Sequence, residues 1–153
     1  MADLAGLVVA IATAVGVFLA LWQIRIAVKQ WRTGFEDSLA CEFRQIAKEI
    51  PTHALLNEDL SDDEFKKALR HLYHYIDLSN EQTFLRSRRR VSREVWKYWC
   101  DGIKSNLNRP AFKKAWGQIK QQAPGSFEEL RRLENSQFKD DPANWPDDIA
   151  VAT

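Results

Sequence analysis

The chain has 153 residues, 22 Lys and Arg against 21 Asp and Glu, and a formal net charge of +1, which allows one ordinary domain or less once an anchor is subtracted. Apolar residues supply 45% and charged residues 28%, excluding wholesale disorder, while six Gly and five Pro exclude collagen-like and low-complexity chains. Two Cys cannot frame a disulfide-built fold; they suit a reducing compartment or core filling.

The hydrophobicity is concentrated at the N-terminus. From Leu4 to Ile24 there is no charge, and only Thr13 and Gln23 are strongly polar. About 21 helical residues at roughly 1.5 Å each span about 31 Å, the thickness of the bilayer hydrocarbon core. A cleaved signal peptide needs a basic leader and a small-residue cleavage site. Here Asp3 precedes the run without Lys or Arg, and the run ends in Leu21-Trp22-Gln23-Ile24-Arg25. Residues 1–24 therefore read as a transmembrane signal anchor. Arg25, Lys29 and Arg32 follow it, so the positive-inside rule predicts a single pass with the N-terminus outside and the C-terminal domain cytoplasmic. Trp22 and Trp31 fall where interface anchors are expected.

Within the span, small residues recur at four-residue steps. Ala12, Gly16 and Ala20 share one face, and Gly6, Ala10 and Ala14 another. These faces permit close packing against other transmembrane helices, although Ala and Gly are also common in spans generally. After Met1 the span has no His, Cys or Met to ligate haem, and no acid or base for a proton path.

Residues 25–50 read as a juxtamembrane amphipathic helix. Ile24, Val28, Trp31, Phe35, Leu39, Phe43, Ile46 and Ile50 recur at three- and four-residue steps, Gly34 is a weak point, and Pro51 ends the pattern. Residues 51–135 read as a cytoplasmic helical domain. Ser61 and Glu64 form a capping box before a stripe of Phe65, Leu69, Leu72, Ile76 and Ser79. Ser92 caps the next helix, Val91 staples onto Trp96, and Val95, Trp99, Cys100 and Ile103 turn inward. Pro110 opens a helix burying Phe112, Ala115, Trp116 and Ile119, and Pro124-Gly125 breaks it. Ser126 and Glu129 spell a second capping box before Leu130 and Leu133. Cys41 and Cys100 both fall on apolar stripes, which predicts core thiols.

No stretch alternates with period two over strand length, so the predicted fold class is all-α: one N-terminal transmembrane helix continuing into a small cytoplasmic helical bundle. Residues 136–153 form an acidic, Pro-containing tail. Its Phe138 and Trp145 either dock on the domain or a partner, or belong to a disordered end.

No catalytic or nucleotide-binding motif is present. His71 and His74 with Asp77 and Glu81 come nearest to a zinc set, but His74, Asp77 and Glu81 fall opposite the apolar stripe and read as a solvated face. Trp96, Trp99 and Trp116 read as core rather than as a ligand cage. No catalytic, cofactor-binding or metal-ligating residue is therefore predicted. What exceeds background is the run Arg86, Arg88, Arg89, Arg90 and Arg93 between two helices, in a region, residues 25–135, of net charge +5. It could engage anionic lipid phosphates or an acidic patch on a protein partner. It could equally be a solvated loop paired with Glu81, Glu94 or the tail. Near-neutral overall charge argues against nucleic acid.

Tyr75-Ile76-Asp77-Leu78-Ser79-Asn80-Glu81, Val91-Ser92-Arg93-Glu94-Val95-Trp96, Asp101-Gly102-Ile103 and Arg109-Pro110-Ala111-Phe112 with Ala115-Trp116 resemble a group of uncharacterised bacterial membrane proteins. These have one N-terminal span and a small helical cytoplasmic domain. The resemblance covers about residues 70–120. It implies a bacterial inner-membrane location and brings no assigned activity, and the arginine run is denser than in that group. The expected function is a non-enzymatic, membrane-anchored interaction protein, an accessory or scaffold subunit of an integral-membrane complex. The alternative is an oligomerising membrane effector, of a phage-defence or toxin-like kind, that permeabilises the bilayer; there the partner is a homo-oligomer. An enzyme built on His71, His74 and Asp77 ranks third.

Overall fold

The computed structural model describes residues 2–146, with side chains from Gly6 onward, and the described residues form six α-helices and one 3₁₀ turn. The fold is all-α, as the sequence predicts. The chain divides into two compact units, residues 1–37 and 38–153.

Helix α1 (Ala2–Lys48) begins in the first unit and contributes its last turns to the second. Helical structure passes through Gly34 without interruption. A glycine costs a helix about 1 kcal/mol relative to alanine, too little to break one this long. The helix is long and apolar enough to cross a membrane, and none of its most apolar stretch is buried. Thr13 satisfies its hydroxyl on the Val9 carbonyl at 2.9 Å, so it adds no unpaired donor to the apolar surface.

The second unit is organised around α3 (Asp62–Ser87). Its start is the predicted capping box: the Glu64 N–H donates to Ser61 Oγ at 3.4 Å, and the Ser61 N–H donates to Glu64 Oε2 at 3.0 Å. Phe65, Ala68, Leu72, Tyr75 and Ile76 are buried, and Leu69 is half-buried. Further along, Ser79 and Thr83 are also buried; their hydroxyls donate back to the carbonyls of Tyr75 and Ser79, both at 2.8 Å, so neither is left unsatisfied. Upstream, Pro51 stands before the single turn α2 (Thr52–Leu55), and Leu39 and Ile50 are buried.

Helix α4 (Arg93–Leu107) starts at Ser92, whose Oγ accepts from the Val95 N–H at 3.4 Å. Helix α5 (Pro110–Gln122) opens on Pro110, as expected, and buries Phe112, Ala115, Trp116 and Ile119. Helix α6 (Glu128–Asn135) buries Leu130 and Leu133. Helix α3 packs against α5, α6 and the 3₁₀ turn, and α4 packs against α5. Tyr75 and Phe112 meet edge to face at 5.0 Å in this core.

Four expectations are corrected. Ser126 does not cap α6: the residue before the helix is Phe127, in the left-handed region at φ 62°. Its buried ring meets Tyr73 at 5.6 Å and Trp116 at 5.9 Å, both edge to face, and this burial overrides the capping box. Cys41 is exposed; two residues beyond buried Leu39, it lies about 200° round the helix, on the opposite face. Residues 136–146 are not a loose tail. Pro142 and Ala143 are buried in the 3₁₀ turn (Pro142–Asn144) against α3, so the packed domain does not end at residue 135. The remainder of the acidic segment, with Asp147 and Asp148, lies outside the described residues.

The fourth concerns the arginine run. It does not lie wholly between helices, because α3 continues through Ser87. Arg86 is buried in the last turn, with Nε on Asp141 Oδ1 at 2.7 Å, Nη2 on Asp141 Oδ2 and Nη1 on the Val91 carbonyl at 2.8 Å. It therefore cannot also serve an external phosphate.

Candidate functional site

The chemistry of this molecule is spread over four features. The first is a groove in the second unit, a cavity of about 570 Å³. Phe43 from the end of α1 lines it, with Tyr75 and Gln82 from α3, and Tyr98, Trp99 and Asn106 from α4. Phe43 meets Tyr75 edge to face at 5.9 Å, and Tyr98 is 80% exposed at the margin. Arg44 and Asp101 put one charge of each sign on the lining. The polar groups are the unusual part. Gln82 is 6% exposed, and its carboxamide has no hydrogen-bond partner among the described residues. Asn106 is 9% exposed and donates Nδ2 to the Tyr75 hydroxyl at 2.8 Å, leaving its carbonyl oxygen without a partner among the described residues. Burial pushes the Tyr75 hydroxyl pKa above its ordinary value, so Tyr75 stays protonated.

Sequence reasoning passed over Gln82 and Asn106. The available signal was position: Gln82 follows Tyr75 by seven residues and Asn106 follows Trp99 by seven, so both amides stand on buried faces. Neither amide is sealed in the core without a partner; both stand where a buried helix face meets the cavity.

The second feature is a cavity of about 580 Å³ between α4, α5 and the segment after α6. Lys104, Lys113, Lys120 and Lys139 line it with Trp116 and Phe138. Lys120 is spent on Glu134 at 2.9 Å and lies over the Trp116 ring at 5.3 Å. Trp116 Nε1 is buried without an acceptor among the described residues, closed off from the cavity rather than presented to it.

The third feature is the turn after α3. Arg89 adopts φ 57°, the Arg90 N–H reaches the Leu85 carbonyl at 2.9 Å, and the Arg89 N–H reaches the Arg86 carbonyl at 2.9 Å, closing the helix in a Schellman motif. Arg88, Arg89, Arg90 and Arg93 are exposed, and Arg89 Nε also approaches the Ala143 carbonyl at 3.4 Å. Phe138 and Trp145, predicted as docking residues, are both half-buried, and the Arg132 guanidinium stands 4.5 Å from the Trp145 ring centre.

The last feature is the span. Gly6, Ala10, Ala12, Ala14, Gly16 and Ala20 are exposed, and a Cβ added at Gly6 or Gly16 would meet open space. Trp22 and Trp31 are exposed, the latter stacked on Phe35 at 5.5 Å.

His74, Asp77 and Glu81 are exposed and His71 is half-buried; no cluster able to hold a metal occurs among the described residues. Cys100 is buried, and burial followed by the nearby Asp101 charge pushes its thiol up to about 11, so it is protonated and unreactive at neutral pH. No family model matches the chain, and neither curated proteins nor solved structures give a match.

Proposed function

We propose that this chain is a non-enzymatic, membrane-anchored interaction protein, an accessory or scaffold subunit of an integral-membrane complex. The observation that carries the reading is α1. Its apolar part is exposed on every side, with Gly6, Ala10, Ala12, Gly16 and Ala20 open to contact, while the second unit buries its own core. Positive-inside charge from Arg25, Lys29 and Arg32 supports an N-terminus outside a bacterial inner membrane and a cytoplasmic second unit. In that orientation Trp22 and Trp31 anchor the inner boundary. The turn of Arg88, Arg89, Arg90 and Arg93 then offers cationic contacts to anionic lipid or to an acidic surface of the partner.

The test is purification of the full chain from its native membrane into nanodiscs, followed by mass spectrometry of intact assemblies. A stoichiometric hetero-complex is expected. A monomer without a co-purifying protein overturns the reading. A homo-oligomer that conducts ions replaces it with the effector alternative.

A further inference from the structure

The groove of the second unit has the composition of a small-molecule site. We propose that it binds an uncharged planar heteroaromatic ring carrying adjacent hydrogen-bond donor and acceptor atoms, the chemistry of a nucleobase. Small-ligand sites are concave, run from about 300 to 1,000 Å³, and combine aromatic walls with a few placed polar groups. This cavity measures about 570 Å³ and sets Phe43, Tyr98 and Trp99 around two carboxamides.

Gln82 decides the class. Its side chain is largely buried and lines this cavity without a hydrogen bond to the described residues, and its amide atoms stay open to the cavity rather than sealed in the core. An amide at a cavity wall can exchange water for a ligand edge that satisfies both its donor and its acceptor. A carboxamide offers one donor face and one acceptor face side by side, matching the amide or amidine edge of a base. The Asn106 carbonyl adds an acceptor, because its Nδ2 is committed to Tyr75. Aromatic side chains give the stacking surface such a ring requires, with little sequence preference of their own. Arg44 and Asp101 cancel in charge, so the lining does not favour a charged ring.

The experiment uses the full chain in nanodiscs and saturation-transfer NMR with adenosine, guanosine, cytidine and uridine, with empty nanodiscs as the control for lipid binding. At least one nucleoside should bind saturably. Gln82→Leu, which keeps the volume and removes the amide edge, should weaken that binding about tenfold or more. Tyr98→Ala changes a side chain that is 80% exposed, leaves the core intact and should weaken it several-fold. Absence of saturable binding by all four nucleosides overturns the proposal. Binding that Tyr98→Ala weakens but a folded Gln82→Leu leaves unchanged overturns the base-edge assignment, and binding insensitive to both variants overturns the site. Should Gln82→Leu lose its thermal transition, Gln82→Glu replaces it: the donor face is lost, and binding must again weaken.

Discussion

The Asn80 carboxamide oxygen accepts a hydrogen bond from the Leu130 N–H at 3.0 Å, so a residue fifty positions upstream caps helix α6. Leu130 is the third residue of that helix, and its N–H would otherwise be one of the orphan donors at a helix start. The cap thereby ties α6 to α3 in register. Asn80→Ala should cost about 1 kcal/mol, the usual worth of an N-terminal cap. Asn80→Asp keeps the acceptor, adds favourable charge at the positive helix end and should recover most of that loss. Near-UV circular dichroism of the thermal transition, which reports aromatic packing, reads both; an unchanged midpoint for Asn80→Ala would refute the role.

Phe127 occupies the position that Ser126 was expected to hold. Ser126→Ala should therefore change stability by less than about 0.5 kcal/mol, because no side-chain cap is lost. Phe127→Ala removes a ring buried against Tyr73 and Trp116 and should cost about 3 kcal/mol or more. Equilibrium denaturation of the two variants separates these effects, and a larger loss from Ser126→Ala would restore the capping box.

Such comparisons mark what the sequence carries. Helix starts were legible wherever the cap is local, at Ser61, Ser92 and Pro110. They were not legible where the cap comes from a distant chain segment, as with Asn80. Helix ends were obscured in the same way. The Schellman turns after α3 and α6 place Arg89 and Gln137 at positive φ, where glycine is the usual mark, so neither boundary is punctuated. The groove was hidden because Phe43, Gln82 and Asn106 converge from three helices, and single-helix periodicity cannot show convergence.

Arg86 and Asp141 join the end of α3 to the start of the 3₁₀ turn with a two-point guanidinium–carboxylate contact. Asp141→Ala should destabilise the second unit by roughly 2–3 kcal/mol, because it strands a buried guanidinium; the partial exposure of Asp141 keeps the cost below that of a fully buried pair. Replacing both partners, Arg86→Met with Asp141→Leu, should cost less than Asp141→Ala alone, since no charge is stranded. A double variant as unstable as the single one would mean that geometry, not charge, carries the contact.

The two thiols should differ in reactivity. Cys41 is exposed, whereas the Cys100 thiol is pushed up to about 11 and lies with Sγ 3.9 Å from the Phe138 carbonyl. At pH 8 Cys100 should alkylate on the order of a hundred-fold more slowly than a solvated thiol. Iodoacetamide labelling read by mass spectrometry of peptides should find Cys41 modified first and Cys100 only after unfolding. Equal rates would show that the segment covering Cys100 opens readily.

Acid should destabilise the second unit through the same contacts that order it. The Arg86 guanidinium, helped by the Ala143 N–H, holds the Asp141 carboxyl below its ordinary value against the opposing effect of burial. Ser61 does the same to exposed Glu64 by hydrogen bonding. Both carboxyls bind a proton less readily folded than unfolded. Between the lowered pKa and the unfolded value near 4, the unfolded state therefore carries more protons, and stability rises with pH. The contribution is complete above about pH 5 and is lost as pH falls through the lowered folded values. Thermal midpoints measured from neutral to acid pH should hold steady and then drop, and Asp141→Asn should flatten that acid limb while lowering the neutral plateau. A variant that lowers the plateau but leaves the limb as steep would assign the acid sensitivity to carboxylates other than Asp141.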